Sequence, residues 1–185
     1  KSETRRMAEA YHLPVAHKAE SQEICFVPRD DYKSYLREKR PECERPGDII
    51  DRAGNVLGRH EGVSFYTVGQ RRGLGIAAPH PLYVISLDAE KNLVVVGGAD
   101  EVHARELIAS ELNWTMWDQM DRERMVQAKI RYGKREAPAL IVPHDAERLR
   151  VCFAEPQRAV TPGQSVVFYE KDIVLGGGII DAVVS

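Results

Sequence analysis

The sequence predicts a mainly β protein with two short helices, in which a small central β-rich domain is followed by an antiparallel β-barrel. Three observations lead to this fold class. Apolar residues recur with helical spacing only before residue 41. From residue 47 onward they alternate with period 2, in short segments that end at Gly, Pro, Asn or Asp. The last third of the chain is a succession of such segments, which favours a small closed barrel.

Two helices are predicted near the amino end. The first covers residues 3–11. Asp30 or Asp31 is the expected cap of the second helix, because a short carboxylate side chain can accept a hydrogen bond from a free amide of the first turn. This helix continues to about Lys39 and is closed by Pro41, since proline cannot extend a helix from within.

Two hairpins are predicted next. The first covers residues 47–58, with a turn at Ala53-Gly54-Asn55, and the second covers residues 82–96. A linking strand over residues 105–113 follows, and we place a domain boundary near residues 103–106. The barrel should then contain strands at 126–132, 137–143, 149–153, 165–169 and 173–184. Three consecutive glycines in the last of these predict a bulge or a close strand crossing at a barrel corner.

Composition excludes several classes of protein. The 185 residues are 43% hydrophobic, which is enough for a core, and no apolar run approaches the length of a membrane helix. The net charge of −2 argues against a uniformly basic nucleic-acid binder but leaves a local basic surface open. The chain begins without Met and without a signal peptide, so we expect a piece of a longer protein.

The cysteines indicate a reducing environment. Cys25, Cys43 and Cys152 are an odd number at wide spacing, without a CxxC pair or a Cys/His cluster. We therefore expect no disulfide scaffold, no metal site and a cytoplasmic location. Cys25 lies between Ile24 and Phe26, and composition alone favours a buried, inert thiol. The functional alternative is a persulfide carrier, which must be reachable by a sulfur donor and an acceptor.

A glycine-rich segment, residues 69–76, carries Arg71 and Arg72. Two arginines beside glycines can hold a phosphate, because the glycine backbone allows close approach of an anion. A solvated turn in which Gly provides positive φ explains the same pattern equally well.

A third candidate is the basic segment 122–135. It contains six Lys or Arg residues and places Arg131 next to Tyr132. Arginine can take a phosphate and tyrosine can stack on a base, so the segment favours a nucleic-acid surface, with Ile130 and Tyr132 expected on the same face of a strand. The alternative is a strand edge protected by charge. Gln164 follows a Thr-Pro-Gly turn and could either read a base edge or hydrogen-bond its own turn.

The motifs together resemble a known family. They are Ser-Gln-Glu-Ile-Cys-Phe at 21–26, Thr-Val-Gly-Gln-Arg-Arg-Gly-Leu-Gly-Ile at 67–76, Tyr-Val-Ile at 83–85, Lys-Ile-Arg-Tyr at 129–132, Ala-Val-Thr-Pro-Gly-Gln at 159–164, and Leu-Gly-Gly-Gly-Ile-Ile at 175–180. This ordered set closely resembles the bacterial tRNA-specific 2-thiouridylases. The resemblance implies a three-part enzyme with an ATP-binding domain, a small central domain and a C-terminal barrel, which replaces the carbon-2 oxygen of a wobble uridine with sulfur.

The resemblance also implies roles for particular residues. Cys25 matches the cysteine that carries the persulfide, and Arg131, Tyr132 and Gln164 match tRNA contacts of the barrel. Arg71 and Arg72 are further candidate tRNA contacts, because their glycine-rich segment could hold a phosphate. The implied partners are tRNA and a sulfur-relay donor protein, with no membrane. The implied cofactor is ATP, bound by an N-terminal domain. The expected divisions are 1–28 for the end of the catalytic domain and its linker, 29–104 for the central domain and 105–185 for the barrel.

Two departures from the family pattern matter. The family's Ser-Gly-Gly-x-Asp-Ser nucleotide loop, its catalytic Asp and its first Cys have no counterpart here, and Ala19 replaces one of two usual lysines. We therefore expect this chain alone neither to bind ATP productively nor to thiolate tRNA. The competing hypothesis is a non-catalytic RNA-binding β-barrel module. A barrel that contacts protein, as in translation factors, is a third reading that no residue supports.

Overall fold

The structure is a computed structural model that describes residues 2–17, 27, 31–116, 120–133 and 135–184. The chain forms two compact units, Lys1–Glu44 and Arg45–Ser185. Cys25 and the rest of its Ser-Gln-Glu-Ile-Cys-Phe motif lie outside the described residues.

The first unit contains both predicted helices, α1 (Ser2–Ala10) and α2 (Tyr32–Lys39). Asp31 caps α2, since its carboxylate accepts hydrogen bonds from the amide and the hydroxyl of Ser34 at 3.0 and 2.6 Å. The hydroxyl and amide bonds hold the pKa of the Asp31 carboxyl below its usual value. A 3₁₀ turn begins at Pro41, which confirms that proline closes the helix.

A four-stranded sheet opens the second unit. Its strands are β1 (Gly47–Ile50), β2 (Val56–His60), β3 (Tyr83–Asp88) and β4 (Leu93–Gly97), in the order β2-β1-β4-β3. Both predicted hairpins are present as antiparallel pairs, β1 with β2 and β3 with β4. The two hairpins join through a parallel pairing of β1 with β4, which local sequence patterns do not predict.

The core of this sheet is apolar, and two buried polar residues, His60 and Asn92, lie beside it. Ile49, Val84 and Val94 are completely buried. His60 is also buried, and its Nε2 lies 3.0 Å from the carbonyl oxygen of Asn92. The Asn92 side-chain amide donates to the carbonyls of the segment that leads into β1, so the polar groups tie the start of β1 to the end of the β3–β4 turn.

The remaining six strands close into the predicted antiparallel barrel. They are β5 (His103–Trp114), β6 (Arg124–Lys129), β7 (Ala137–Pro143), β8 (Leu149–Arg158), β9 (Ser165–Glu170) and β10 (Ile173–Val184). Their order around the barrel is β10-β5-β8-β7-β6-β9, and every pair is antiparallel. The mainly β fold class is therefore confirmed.

Two strand ends differ from the prediction by three residues or more. β6 ends at Lys129 rather than at Tyr132, and β8 continues to Arg158 rather than ending at Phe153. The expected bulge at the glycine run is present, because the pairing of β10 with β5 shifts register between Gly177 and Ile179. A Cβ on Gly177 would lie 2.6 Å from a carbonyl oxygen of β9, so only glycine permits this crossing.

Side chains from all six strands fill the barrel. Phe168 is completely buried at its centre and stacks on Trp114, with ring centroids 5.7 Å apart. Met125 faces outward from β6 and is 69% exposed. The alternation along each strand thus places apolar side chains inside the barrel and leaves the outward side chains available for binding.

Phe168→Ala should lower the free energy of unfolding by about 3–5 kcal/mol, because it leaves a cavity at the barrel centre. Met125→Ala is the control and should change this free energy by no more than about 0.5 kcal/mol. Denaturant titration of both variants, followed by circular dichroism, measures the difference. Equal losses would contradict the packing described here.

Candidate nucleic-acid interface

A groove of about 860 Å³ lies on the outside of the barrel, where β6 ends and β9 begins. We name it the barrel groove. It brings together three residues that the sequence singled out: Arg131, Tyr132 and Gln164. Among the described residues, its lining is Thr67, Lys129, Ile130, Arg131, Tyr132, Gly163, Gln164, Ser165, Val167 and Tyr169, and none of these is acidic.

The outer wall of the barrel forms one side of this groove. β6 and β9 pair antiparallel, with Lys129 opposite Val167. Phe168 points into the core, so its neighbours Val167 and Tyr169 point outward beside Lys129. Tyr169 was not among the predicted site residues, although the alternation of β9 was sufficient to place it on the outer face. Lys129 was predicted only as a member of the basic segment 122–135.

Tyr132 lies in the turn that follows β6 and is 95% exposed. The prediction that Ile130 and Tyr132 share a strand face is wrong, because the strand ends at Lys129 and its alternation stops there. Ile130 is buried in the barrel while Tyr132 stands in solvent. An aromatic ring this exposed gains almost nothing from packing within the chain and is available to stack on a ligand.

Gln164 is exposed in a turn that the backbone alone maintains. Its amide donates to the carbonyl of Thr161 at 3.3 Å, and its carbonyl accepts from the amide of Ile180 at 2.8 Å. Within the described part of the chain, its side-chain amide makes no hydrogen bond. Both a donor and an acceptor therefore face the groove, as reading a base edge requires.

Arg131 is partly buried at the inner edge of the groove. Its Nη2 donates to the carbonyl oxygen of Val68 and to the hydroxyl oxygen of Thr161, both at 3.4 Å. Its Nε is buried, and it has no hydrogen-bond partner among the residues that the structure describes. The Thr161 hydroxyl in turn donates to the carbonyl of Ala159 at 3.0 Å. Arg131 thus joins the barrel to the segment that leads into Arg71 and Arg72.

Residues 69–82, which directly follow Val68, form an exposed loop that we name the arginine loop. The Gln70 side chain stabilises its start by accepting from the amide of Thr67 at 3.1 Å and donating to the carbonyl of Arg72 at 2.9 Å. Leu74 is buried in the core of the central sheet and anchors the middle of the loop. Arg71 and Arg72 remain exposed, and Arg71 borders a cavity of about 620 Å³ formed by the loop itself.

The arginine loop meets the barrel at a small apolar seam. Val68, Val102 and Ala159 are buried together there. Gly69 has φ of +88°, and a Cβ at this position would lie 2.8 Å from the Cβ of Ala159. Gly69 therefore serves two purposes, since only glycine tolerates both the backbone conformation and the close approach.

Arg158 lies across the same seam. Its Nη2 donates to the carbonyl oxygen of Gly69 at 3.5 Å, and its guanidinium lies 5.4 Å from the ring centroid of Tyr83. Sequence analysis missed this residue, because its partners lie 89 and 75 positions away in the chain and no local pattern marks them. Thr161, the partner of Arg131, was missed for the same reason.

The two described cysteines, Cys43 and Cys152, are half-buried and form no disulfide. Burial raises the pKa of the Cys152 thiol, and the nearby Glu106 carboxylate raises it further, which disfavours the thiolate. The described residues contain no group of three or more His, Cys, Asp or Glu side chains that could hold a metal ion. Among them there is also no helix with the length and apolarity to cross a membrane.

Comparison with known proteins defines the class to which this architecture belongs. Residues 1–29 match the tRNA methyl transferase HUP domain, residues 33–98 the tRNA methyl transferase PRC-barrel domain, and residues 104–180 the aminomethyltransferase β-barrel domain. These are domains of tRNA-modifying proteins. More particularly, the chain belongs to the tRNA-specific 2-thiouridylase family.

The relatives that show this carry the name tRNA-specific 2-thiouridylase MnmA. The Acetivibrio thermocellus protein is 51% identical over 180 residues, which are 97% of this chain and 50% of the relative. The Moorella thermoacetica protein is 48% identical over 183 residues, 99% of this chain and 51% of the relative. A second MnmA of Thermoanaerobacter sp. strain X514 is 48% identical over 181 residues, 98% and 50% respectively. The chain thus spans about half the length of the curated relatives it matches.

Gly69→Ala should destabilise the second unit by about 2–4 kcal/mol, because it adds a methyl group against Ala159 to the cost of positive φ. Gly75→Ala is a matched control. Gly75 also has positive φ, at +68°, but a Cβ there would contact nothing within 4 Å. This variant should lose only about 1 kcal/mol. Denaturant unfolding of both variants tests the seam, and equal losses would show that Gly69 is required for its φ alone.

Proposed function

We propose that this chain supplies the persulfide carrier, the central domain and the tRNA-binding barrel of an ATP-dependent tRNA 2-thiouridylase. The names of the relatives and the ordered family motifs support this proposal. ATP would be held by an N-terminal domain, because the chain has no Ser-Gly-Gly-x-Asp-Ser nucleotide loop. The arginine loop does not fit that role, since no helix follows it to bind a triphosphate at its N-terminus.

The barrel groove is the observation that carries the RNA-binding part of the proposal. It presents an exposed Tyr132 and a Gln164 side chain without a partner in the described chain, beside the cations Lys129 and Arg131. Sequence-specific RNA recognition commonly stacks unpaired bases on aromatic rings and reads their edges by hydrogen bonds. The groove offers both functions, and its cations suit the phosphates that flank a splayed base.

Arg71 and Arg72 extend this surface onto the central domain. Thr67 lines the groove, and Arg71 follows it by four residues, so their Cα atoms lie within about 14 Å of each other. Along one strand of a duplex a phosphate occurs about every 3.4 Å of helix axis. We propose that the arginine loop contacts phosphates only a few nucleotides from the residue bound in the groove.

Cys25 is the proposed sulfur carrier. The proposal rests on its position in the Ser-Gln-Glu-Ile-Cys-Phe motif, since it lies outside the described residues. The Cys25 thiolate would attack the terminal sulfur of a persulfide carried by a sulfur-relay donor protein; the donor's sulfur–sulfur bond breaks, a persulfide forms on Cys25 and the donor leaves as a thiolate. The barrel and the arginine loop would hold the tRNA while its wobble uridine reaches the catalytic domain.

A non-catalytic RNA-binding module is the second candidate function. It is favoured by one observation: the described residues that line the barrel groove and the cavity of the arginine loop belong to the second unit, Arg45–Ser185. This module and the enzyme predict the same RNA binding but differ in the need for Cys25.

Tyr132→Ala should weaken tRNA binding by about 5- to 100-fold, because a stacked base contributes about 1–3 kcal/mol. The slope of log affinity against log salt should stay unchanged, since no charge is removed. Lys129→Ala should lower that slope by about one. Fluorescence anisotropy with labelled tRNA at several salt concentrations measures both effects. Tyr11→Ala and Lys171→Ala, which remove an exposed tyrosine and an exposed lysine elsewhere, should bind as wild type; unaltered binding by Tyr132→Ala would refute the groove as the RNA site.

Cys25→Ser, made in the protein joined to its nucleotide-binding domain, should abolish 2-thiouridine formation while tRNA affinity stays within about twofold of wild type. The physical reason is that a hydroxyl oxygen cannot carry transferable sulfur. Mass spectrometry of nucleosides from tRNA treated with ATP and a sulfur donor gives the readout. Cys43→Ser, which changes a half-buried thiol, is the control and should remain active. Full activity of Cys25→Ser would leave the binding module as the better description.

A further inference from the structure

We propose that Arg158 is a positioning residue, which holds the arginine loop against the barrel so that the loop and the barrel groove contact one continuous segment of RNA. The inference rests on the proposed RNA-binding function and deepens it. Arg158 lines neither the barrel groove nor the cavity of the arginine loop. Its contacts are made instead with the backbone and the ring that connect these two sites.

Arg158 makes two contacts at the base of the arginine loop. Its guanidinium donates to the carbonyl oxygen of Gly69 and lies over the ring of Tyr83. These two residues belong to neighbouring segments of the central domain. The amide of Gly69 donates to the carbonyl of Val84 at 2.7 Å, and the amide of Val84 donates to the carbonyl of Gln70 at 2.9 Å. Arg158 thus bridges both segments at the base of the arginine loop.

The contacts of residue 158 require an arginine side chain. A planar guanidinium can stack on an aromatic face while its N–H groups donate in the ring plane to a carbonyl. A lysine ammonium provides a point charge and cannot combine these two contacts in the same way. The contacts of Arg158 with Tyr83 and Gly69 use both properties of arginine.

Two further sets of hydrogen bonds hold the seam beside those of Arg158. Arg131 reaches the carbonyl of Val68 from the barrel, supported by the hydroxyl of Thr161. The amide of Ala159, the residue after Arg158, donates to the carbonyl of Val102 at 2.8 Å. The base of the arginine loop is therefore held at two consecutive carbonyls, Val68 and Gly69, by two arginines of the barrel.

A fixed loop matters because both proposed RNA contacts act on the same ligand. If the loop were mobile, Arg71 and Arg72 would have to become ordered when RNA binds in the groove. The entropy cost of ordering them would reduce the affinity for RNA. With the loop held in place, the entropy loss occurs during folding rather than on binding. Loosening the seam should consequently remove the contribution of Arg71 and Arg72 without removing either side chain.

A double-mutant cycle tests this coupling. Arg71→Ala/Arg72→Ala should weaken tRNA binding about tenfold and lower the salt slope by about 1.5, because two phosphate contacts are lost. Arg158→Met should weaken binding several-fold. Combining Arg158→Met with the loop variant should weaken binding no more than about twofold beyond the loop variant alone, since the same contacts are already gone. In the double variant Arg158→Met/Tyr132→Ala, by contrast, the fold-loss in tRNA affinity should equal the product of the two single fold-losses.

A second variant covers the possibility that Arg158→Met disturbs folding. Thr161→Val removes the hydroxyl that supports Arg131 and keeps the side-chain shape, and it should show the same coupling to the loop variant. Arg158→Lys should bind tRNA with intermediate affinity. Unfolding measured on each variant identifies any loss of fold, and a coupling that follows global stability instead of the loop would overturn the inference.

The outcomes separate the inference from the function on which it rests. If Tyr132→Ala and the loop variant both bind tRNA as wild type does, the proposed RNA surface is wrong and the inference falls with it. Suppose that both weaken binding, that the fold-losses of Arg158→Met and of the loop variant multiply in the combined variant, and that Arg158→Lys binds normally. Arg158 then contacts phosphate directly. In that case the RNA surface stands and the positioning role is overturned.

Discussion

Closure of the barrel by β10 is the constraint on which the candidate site depends. β10 pairs with β5 on one side and with β9 on the other, and its glycines allow both neighbours to approach closely. Ile180 of β10 also holds the turn of Gln164 through two backbone hydrogen bonds, with Gly163 and with Gln164. Closure therefore brings this turn beside the end of β6, where Tyr132 lies. The groove is a consequence of how the strands end, and an open sheet would not form it.

The sequence predicts those features of the fold that arise from local chemistry. Asp31 caps its helix, and the glycine run of β10 forms a bulge, because each effect involves residues close in the chain. The parallel pairing of β1 with β4 depends on contacts across more than 40 residues, and no local pattern encodes it. The prediction that Ile130 and Tyr132 share a strand face is wrong for a related reason, since alternation holds only as long as the strand continues.

The candidate site follows the same division. The sequence selected Arg131, Tyr132 and Gln164 by residue type, and the structure places them in one groove. It did not indicate that Arg131 donates to Val68, which precedes it by 63 residues. Motifs identify which side chains carry useful chemistry, whereas their partners are set by how the four-stranded sheet packs against the barrel. The division of labour between a contact residue and a positioning residue is therefore visible only in the fold.

The choice of partners at the seam also explains how a chain of net charge −2 can present a basic surface. Arg131 and Arg158 donate to backbone carbonyls and a hydroxyl, and Arg158 also contacts an aromatic ring. In the described part of the chain, neither arginine forms an ion pair with a carboxylate. A carboxylate partner would fix the seam more strongly, but it would cancel the positive charge beside the groove. Neutral acceptors position both guanidinium groups and leave their field intact, so the two arginines that connect the barrel to the four-stranded sheet keep the seam positively charged.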